Sequence, residues 1–305
     1  MALPLAVFKR FGEHGGGRLA TTVSYWSFFS IFPLLLTFVT VLNLVLEDNP
    51  ERRQDLVDGA LGQVPVVGTE LADSQTALTG SWTTVVIGLV VAVWAGLAAA
   101  NTFQDGVEEI WDTPPYERAN PAVKRLRSIG FLVVLAVGVC VSTLALTSPY
   151  LDLDLLADVA AIVVSFVVNA LILFATFALF ISGRNTLREL LPGVLVAAAA
   201  IVALQALGSW IVTRYIAGAR DTYGTFAVVI ALLSWFFLVS RVVLLSAELN
   251  AVLHHQLTPR SLVGNTEITD GDRRAVHYDA LRVQRDRRIG FAVSVEGADA
   301  AGGAS

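Results

Sequence analysis

The chain has 305 residues, of which 55% are apolar and only 15% are charged, and its mean hydropathy is +0.65. Soluble domains carry roughly 25% charged residues, so this composition excludes an ordinary soluble globular protein. The net charge of −5 disfavours nucleic acid as an electrostatic partner, and the one cysteine, Cys140, excludes an intrachain disulfide and a cysteine-based metal centre.

Apolar runs long enough to cross a bilayer recur along the chain. A spanning helix needs roughly 20 mostly apolar residues, and the first run is nearly twice as long as the core of a cleavable signal peptide. The six qualifying runs are residues 19–46, 82–103, 129–149, 156–182, 190–216 and 225–253. The sequence therefore predicts an all-α, polytopic membrane protein with six transmembrane helices.

The positions of Lys and Arg predict the orientation. Sixteen of the 21 lie in the N-terminal segment, in the loops after the second and fourth runs, and in the tail. The opposite side has four, and Arg241 lies inside the sixth run. Because cytoplasmic segments are enriched in these residues, we expect both termini in the cytoplasm.

The chain divides into a cytoplasmic N-terminal segment (1–18), a transmembrane domain (19–253) and a cytoplasmic tail (254–305). The outer loop at 47–81 is acidic, and its apolar spacing predicts a short amphipathic helix. The tail has little apolar content before Ile289 and ends in a run rich in Gly and Ala, so we expect it to be largely disordered.

Arg241 is the most unusual residue, because a charge deep in a spanning helix costs at least about 2.5–3.5 kcal/mol. Glu248 lies seven residues further on, roughly 10 Å along the same helix face. Arg241 can pair with it, or with Asp105 or Glu108 at the inner end of the second helix. These four are candidate binding residues. The alternative is that Arg241 extends its charged end to the inner membrane surface.

Acidic residues at the end of the second helix are unfavourable for the helix dipole, so we expect basic partners across the following loop. The acidic residues are Asp105, Glu108 and Glu109, and the expected partners are Lys124, Arg125 and Arg127. Structural pairing is favoured over cation binding. In the first helix, Pro33 predicts a kink.

Catalytic motifs are missing from the sequence. We find no Gly-rich phosphate loop, no His-Glu-x-x-His and no Gly-x-Ser-x-Gly. None of the four histidines stands in a ligand pattern with a nearby carboxylate. We therefore predict no catalytic residues, no metal site and no cofactor.

Three segments carry a resemblance to a known family. They are ATTVSYWSFFSIFPLLL at 20–36, FQDGVEEIW at 103–111, and DTYGT at 221–225 followed by SAELNA at 246–251. Together they resemble the YihY/BrkB family, whose members are six-helix bacterial inner-membrane proteins. The last motif adds Asn250 to the candidate binding residues. The family usually has an apolar or small residue at the position of Arg241, so the resemblance favours Glu248 as the more general site residue.

Three functions follow as hypotheses. The first is a permease-like transporter of a small solute or lipid, and the second is a non-transporting protein of envelope organisation or assembly. The third is a ribonuclease, which rests on the historical family name ribonuclease BN. A nuclease needs clustered metal ligands, and only Glu108, Glu109 and Asp112 form an acidic group. We expect membrane lipids and a small molecule or ion as partners, and no nucleic acid. The sequence predicts no particular oligomeric state.

Overall fold

The structure, a computed structural model, describes residues 2–45, 82–146, 154–181, 187–211, 225–261 and 268–291. Within these ranges it has helices and no strands, which confirms the all-α prediction. The helices are α1 (Ala2–Glu13), α2 (Gly16–Val45), α3 (Trp82–Ile110), α4 (Pro121–Leu146), α5 (Asp154–Phe180), α6 (Leu187–Ile211), α7 (Thr225–His254) and α8 (Asp270–Val283). The predicted helix in the outer loop and the last part of the tail lie outside the described residues.

Four of the described helices are long and apolar enough to cross a membrane. The spans are Val86–Ile110 in α3, Val159–Phe180 in α5, Arg188–Gly208 in α6 and Val229–His254 in α7. Their outward faces are covered with large apolar side chains; in α3, Ile87, Val90 and Trp94 are each more than 60% exposed. A contiguous apolar surface of this kind is stable against lipid and not against water.

Helix ends follow local capping residues more closely than the limits of the apolar runs. α4 begins eight residues before the predicted run, because Asn120 accepts a hydrogen bond from the backbone N–H of Val123 at 2.8 Å and Pro121 occupies the first helical turn. α3 continues to Ile110, seven residues past the predicted end. Charged and polar residues of the expected loops therefore extend the helices at their inner ends.

Helix α7 is the centre of the bundle and packs against α1, α2, α3 and α6, while α5 lies between α4 and α6. The main core runs between these helices and includes a group of aromatic rings. Phe103, Phe131 and Phe180 have ring centroids 5.2–6.0 Å apart. This core joins helices that are far apart in sequence.

The crossing of α6 and α7 depends on Gly193 and Asn250. The Asn250 side chain accepts a hydrogen bond from the N–H of Gly193 at 2.8 Å and donates one to the carbonyl of Leu190 at 3.0 Å. These backbone groups lie within two residues of Pro192, which has no N–H of its own and interrupts the helical hydrogen bonds. Asn250 thus inserts into α6 and satisfies groups next to the interruption.

The prediction of a largely disordered tail is wrong for residues 268–291. Helix α8 begins with a capping box in which Thr269 and Asp272 exchange hydrogen bonds with each other's backbone N–H. Its buried residue Ala275 packs with Val252 and Leu257 and with Ala6 of α1. Low apolar content did not predict this helix, because its stability comes from docking on α1 and the C-terminal end of α7.

Candidate functional site

A group of charged side chains is enclosed where α1, α3, α7 and α8 meet. We call Arg10, His14, Asp112, Glu248 and Asp279 the charge cluster. The first four are at most 3% exposed, although they carry or can carry full charges. Burial of this kind is rare for charged residues unless they are paired. The cluster is therefore the first candidate for a functional site.

His14 is held by the turn between α1 and α2. Its backbone N–H bonds to the carbonyl of Arg10 at 2.9 Å, and the next residue, Gly15, has φ +63°, which glycine adopts without strain. The following glycine, Gly16, lies against the ring of Phe11, where a Cβ would come within 2.3 Å of a ring carbon. The turn therefore places the His14 ring inside the bundle, in contact with Asp112 and Glu248.

Asp112 is positioned by the end of α3. The N–H of Asp112 bonds to the carbonyl of Glu109 at 3.1 Å, and the N–H of Thr113 bonds to the carbonyl of Glu108 at 3.0 Å. This pair of bonds is the Schellman helix ending, which needs a left-handed residue at the position of Asp112. Asp112 has φ 49°, a conformation that Asp tolerates better than most residues.

The side chains form a continuous chain of short contacts. His14 Nδ1 lies 2.9 Å from Glu248 Oε2, and His14 Nε2 lies 3.1 Å from Asp112 Oδ1. The guanidinium of Arg10 donates to the other oxygen of Asp112 at 2.7 Å and to Asp279 of α8 at 2.9 Å. One connected network thus joins α7, the α1–α2 turn, the end of α3 and α8.

Burial and pairing act in opposite directions on the charges. Burial opposes the protonation of His14, but the hydrogen bonds to Asp112 and Glu248 outweigh it and raise its pKa to about 9. Burial likewise opposes the ionisation of Asp112, but the hydrogen bond from His14 and the charge of Arg10 hold its pKa below the usual range. At neutral pH, His14 and Arg10 are therefore cationic and Asp112 is anionic.

A second set of ion pairs, which we call the tail clasp, joins α1 to the C-terminal segment. Lys9 contacts Asp272 at 3.2 Å, and Arg260 contacts Asp272 at 2.7 Å and Glu13 at 2.6 Å. Burial opposes the ionisation of Asp272, but the bonds from Thr269, the Ser261 backbone and Arg260 outweigh it and bring its pKa far below normal. The clasp is connected to the charge cluster through Glu13, which also contacts Arg10 at 3.3 Å.

Comparison with known proteins identifies the family. The family model described as Virulence factor BrkB matches residues 7–267, which is most of the chain. The chain belongs to the BrkB family. It is 22% identical over 281 residues to Inner membrane protein YhjD of Escherichia coli (strain K12), covering 85% of this chain and 82% of that protein. It is 24% identical over 265 residues to Putative ribonuclease-like protein YfkH of Bacillus subtilis (strain 168), covering 81% and 94%. No solved structure matches.

This BrkB family member is a membrane protein, as its apolar helices and the inner-membrane relative indicate. Two of the predicted site residues lie near the C-terminal end of α7. Glu248 belongs to the charge cluster, whereas Asn250 binds the backbone of α6. The SAELNA segment therefore holds two candidate residues, two positions apart, with different surroundings.

The acidic residues of α3 separate in the structure. Glu108 is buried and accepts a hydrogen bond from Gln104 at 2.9 Å, whereas Asp105 is exposed and pairs with Lys124, as predicted. Glu109 instead contacts Arg282 of α8 at 3.4 Å and Arg18 at 3.9 Å, partners that the local sequence did not indicate.

Arg241 does not pair with Glu248, which was one of several partners considered for it. The side chain of Arg241 is exposed on the surface of α7, and no ion pair among the described residues includes it. Glu248 is instead fully enclosed and contacts His14. The position of Arg241 fits the alternative in which its charged end reaches towards the membrane surface. Pro33 lies within α2, which continues through it as one helix, and the kink stays a prediction.

A metal ion could find ligand atoms here, since His14, Asp112 and Asp279 each offer one within 4.8 Å of the others. However, the guanidinium of Arg10 already bridges Asp112 and Asp279. A cation would have to enter beside that fixed positive charge. The arrangement therefore fits a proton-binding network better than a metal centre.

The sequence shows no ligand pattern around His14, yet the structure places its ring between two carboxylates. Its two partners are 98 and 234 residues away in the chain, so no local pattern could reveal them. The predicted topology was the one feature of the sequence that could have brought these three residues together. His14, Asp112 and Glu248 all fall at predicted inner ends of the apolar runs, on the same side of the membrane.

Proposed function

We propose that this protein is a permease-like transporter of a small solute or lipid in the bacterial cytoplasmic membrane. The observation that carries the proposal is the charge cluster, buried at the inner end of the bundle. Removing charges from water costs several kcal/mol per ion, which pairing has to offset, and well-packed apolar side chains often close such a space at equal or lower cost. Ionisable groups enclosed at the end of spanning helices are therefore functional candidates.

Unused hydrogen-bonding capacity supports a ligand at this end of the bundle. Glu248 Oε1 and Gln104 Oε1 are buried and have no hydrogen-bond partner. Buried polar atoms are normally satisfied, and an exception needs an explanation. In a transporter, such atoms serve a ligand or ion that is bound during part of the cycle.

The proposed topology has six spans, formed by α2 to α7, with both termini in the cytoplasm. Two observations support it. Helices α1 and α8 bond to each other through Arg10 and Asp279, so the two ends of the described chain lie on one side, as an even number of spans requires. The same side holds most of the Lys and Arg residues, which is typical of the cytoplasmic face.

The test is a thermal-shift screen of the detergent-purified protein against alkali cations, inorganic phosphate, amino acids, sugars, organic acids and phospholipids. A ligand of the folded state at 100 times its dissociation constant stabilises by about 2.7 kcal/mol. We expect one class to stabilise the wild type, to lose its effect in Glu248→Gln, and to keep it in Arg241→Ala, the matched variant on the outer surface of α7.

Flux of the same ligand into proteoliposomes then separates transport from binding alone. Wild-type uptake above that of empty vesicles, reduced in Glu248→Gln, supports the proposal. A ligand that binds but is not transported, or no stabilisation by any class, contradicts it. Either of those results would favour the alternative of an assembly protein, whose mark is a stoichiometric protein partner that copurifies.

A further inference from the structure

The two contacts of His14 set a minimum number of bound protons. Each ring nitrogen lies 2.9–3.1 Å from a carboxylate oxygen, and all three groups are buried. A hydrogen bond needs a proton between its two heavy atoms, so two contacts need two protons. A neutral imidazole flanked by two carboxylates has only one. Losing the second proton leaves lone pairs facing each other in a dry site, which is strongly unfavourable.

The contact that breaks on proton loss is determined by the other partners of each carboxylate. Asp112 is held on its second oxygen by Arg10 at 2.7 Å, so it stays in place and keeps the N–H of His14 Nε2. Glu248 has His14 as its only hydrogen-bond partner among the described residues, and its Oε1 has none. The contact between His14 and Glu248 is therefore the weaker of the two.

We propose that His14 and Glu248 form a proton-binding site, in which one proton on the Nδ1–Oε2 contact holds the α1–α2 turn against the inner end of α7. Releasing the proton to water breaks the Nδ1–H bond, leaves the electron pair on Nδ1, and separates the two side chains. The proton site stands independently of transport. Only the use of this proton as a coupling ion for transport rests on the proposed function.

The groups around the site are compatible with this single titration. Arg10 is balanced by Asp112 and Asp279, and burial together with the charge of His254 lowers the pKa of His255 to about 4, so His255 is neutral. The charged and titratable groups that surround the site are Arg10 and Glu13 of α1, Arg18 of α2, Glu108, Glu109 and Asp112 at the end of α3, Glu189 of α6, Glu248, His254 and His255 of α7 and its end, and Tyr278 and Asp279 of α8.

The affinity for the proton changes when the contact opens. The pKa of His14 is about 9 with both carboxylates in contact, against an ordinary value of 6.5. This difference, about 300-fold in proton affinity, corresponds to the loss of both carboxylates, and opening the Glu248 contact alone removes part of it. Any state of the protein that separates α7 from the α1–α2 turn therefore binds the proton less tightly, and protonation favours the closed state by linkage.

Nitrogen NMR of protein labelled with ¹⁵N-histidine tests the site directly, in nanodiscs and without any solute. We expect one histidine, assigned by its loss in His14→Gln, to remain an imidazolium at pH 7.5 and to titrate about two pH units above an ordinary histidine. The exposed His277 gives the matched control, because His277→Gln should leave that signal unchanged. If every histidine is neutral above pH 8, the proposal is wrong.

Hydrogen exchange of the α1–α2 turn and the inner end of α7 tests the conformational part. Corrected for the intrinsic rate, exchange should increase in the wild type as the His14 signal titrates. In Glu248→Gln the side-chain amide can donate to neutral His14, so the contact no longer needs the second proton. That variant should lose the transition, with exchange low at every pH. If the exchange rate of the wild type stays constant while the His14 signal titrates, proton release does not separate the α1–α2 turn from α7. That result would overturn this part of the proposal, whatever the flux experiments show.

Discussion

Replacing Gly193 with alanine should force α6 and α7 apart. A Cβ at this position would lie 2.3 Å from the backbone oxygen of Ser246 and 2.5 Å from Nδ2 of Asn250. The backbone oxygen cannot move without its helix. The Asn250 amide is fixed by its bonds to Gly193 and Leu190. No flexible side chain is available to absorb the added methyl group.

The magnitude follows from these distances. Ordinary contact begins at 3.4 Å, so the crossing has to open by about 1 Å. Overpacking of this kind costs about 1–3 kcal/mol. Breaking the two Asn250 bonds leaves buried backbone groups unpaired at about 1–3 kcal/mol each. Alanine regains about 1 kcal/mol of helix propensity. These terms sum to an expected net loss of about 2–8 kcal/mol in the free energy of unfolding.

The assay is unfolding by SDS in mixed micelles, with Gly130→Ala as the matched control. Gly130 is also in a long helix, but a Cβ there would meet only the Leu179 side chain, at 3.6 Å. That variant should be unchanged or more stable by up to about 1 kcal/mol. If both variants unfold at the same SDS fraction, the tight crossing and its stabilisation by Asn250 are refuted.

Three further predictions concern the charges and the tail. Arg10→Met leaves Oδ2 of the buried Asp112 without its partner and should destabilise by about 3–5 kcal/mol, and adding Asp112→Asn should recover part of the loss; SDS unfolding measures both. The pKa of His14 is raised from 6.5 to about 9, so its stabilisation is complete below pH 6.5 and is lost as pH rises through 9. The stability difference between wild type and His14→Gln, from thermal unfolding at pH 6–10, should therefore shrink by about 3 kcal/mol; a constant difference contradicts this. Gly271→Ala places a Cβ 2.1 Å from a backbone carbonyl and should release α8 to limited proteolysis, whereas Gly290→Ala, with open space, should not.

The membrane character of the protein and most of its helices were predictable from sequence. Runs without charge, such as residues 159–182 of the fourth run, have no stable alternative to a helix in lipid, because every backbone polar group must bond within its own segment. Local capping signals were also present. Asn120 before Pro121, and Thr269 three residues before Asp272, define helix starts through neighbouring residues alone.

The charge cluster was only partly predictable. Glu248 was identified from the SAELNA resemblance and as one possible partner of Arg241 by helical spacing. That spacing places both residues on the same face of an isolated helix. It does not indicate that α1 and α3 cover this face at Glu248 while it remains exposed at Arg241.

The sequence by itself determined the solvent in which this protein folds and the positions of its long helices, because these depend on contiguous residues. Only the tertiary structure decided which charges meet. His14 lies in the α1–α2 turn, Asp112 at the end of α3 and Glu248 in α7. These three residues meet only because the helices pack together, and such contacts depend on the packing of whole helices. For the same reason, a polar tail segment became helix α8, since its partners Ala6, Val252 and Arg10 lie elsewhere in the chain.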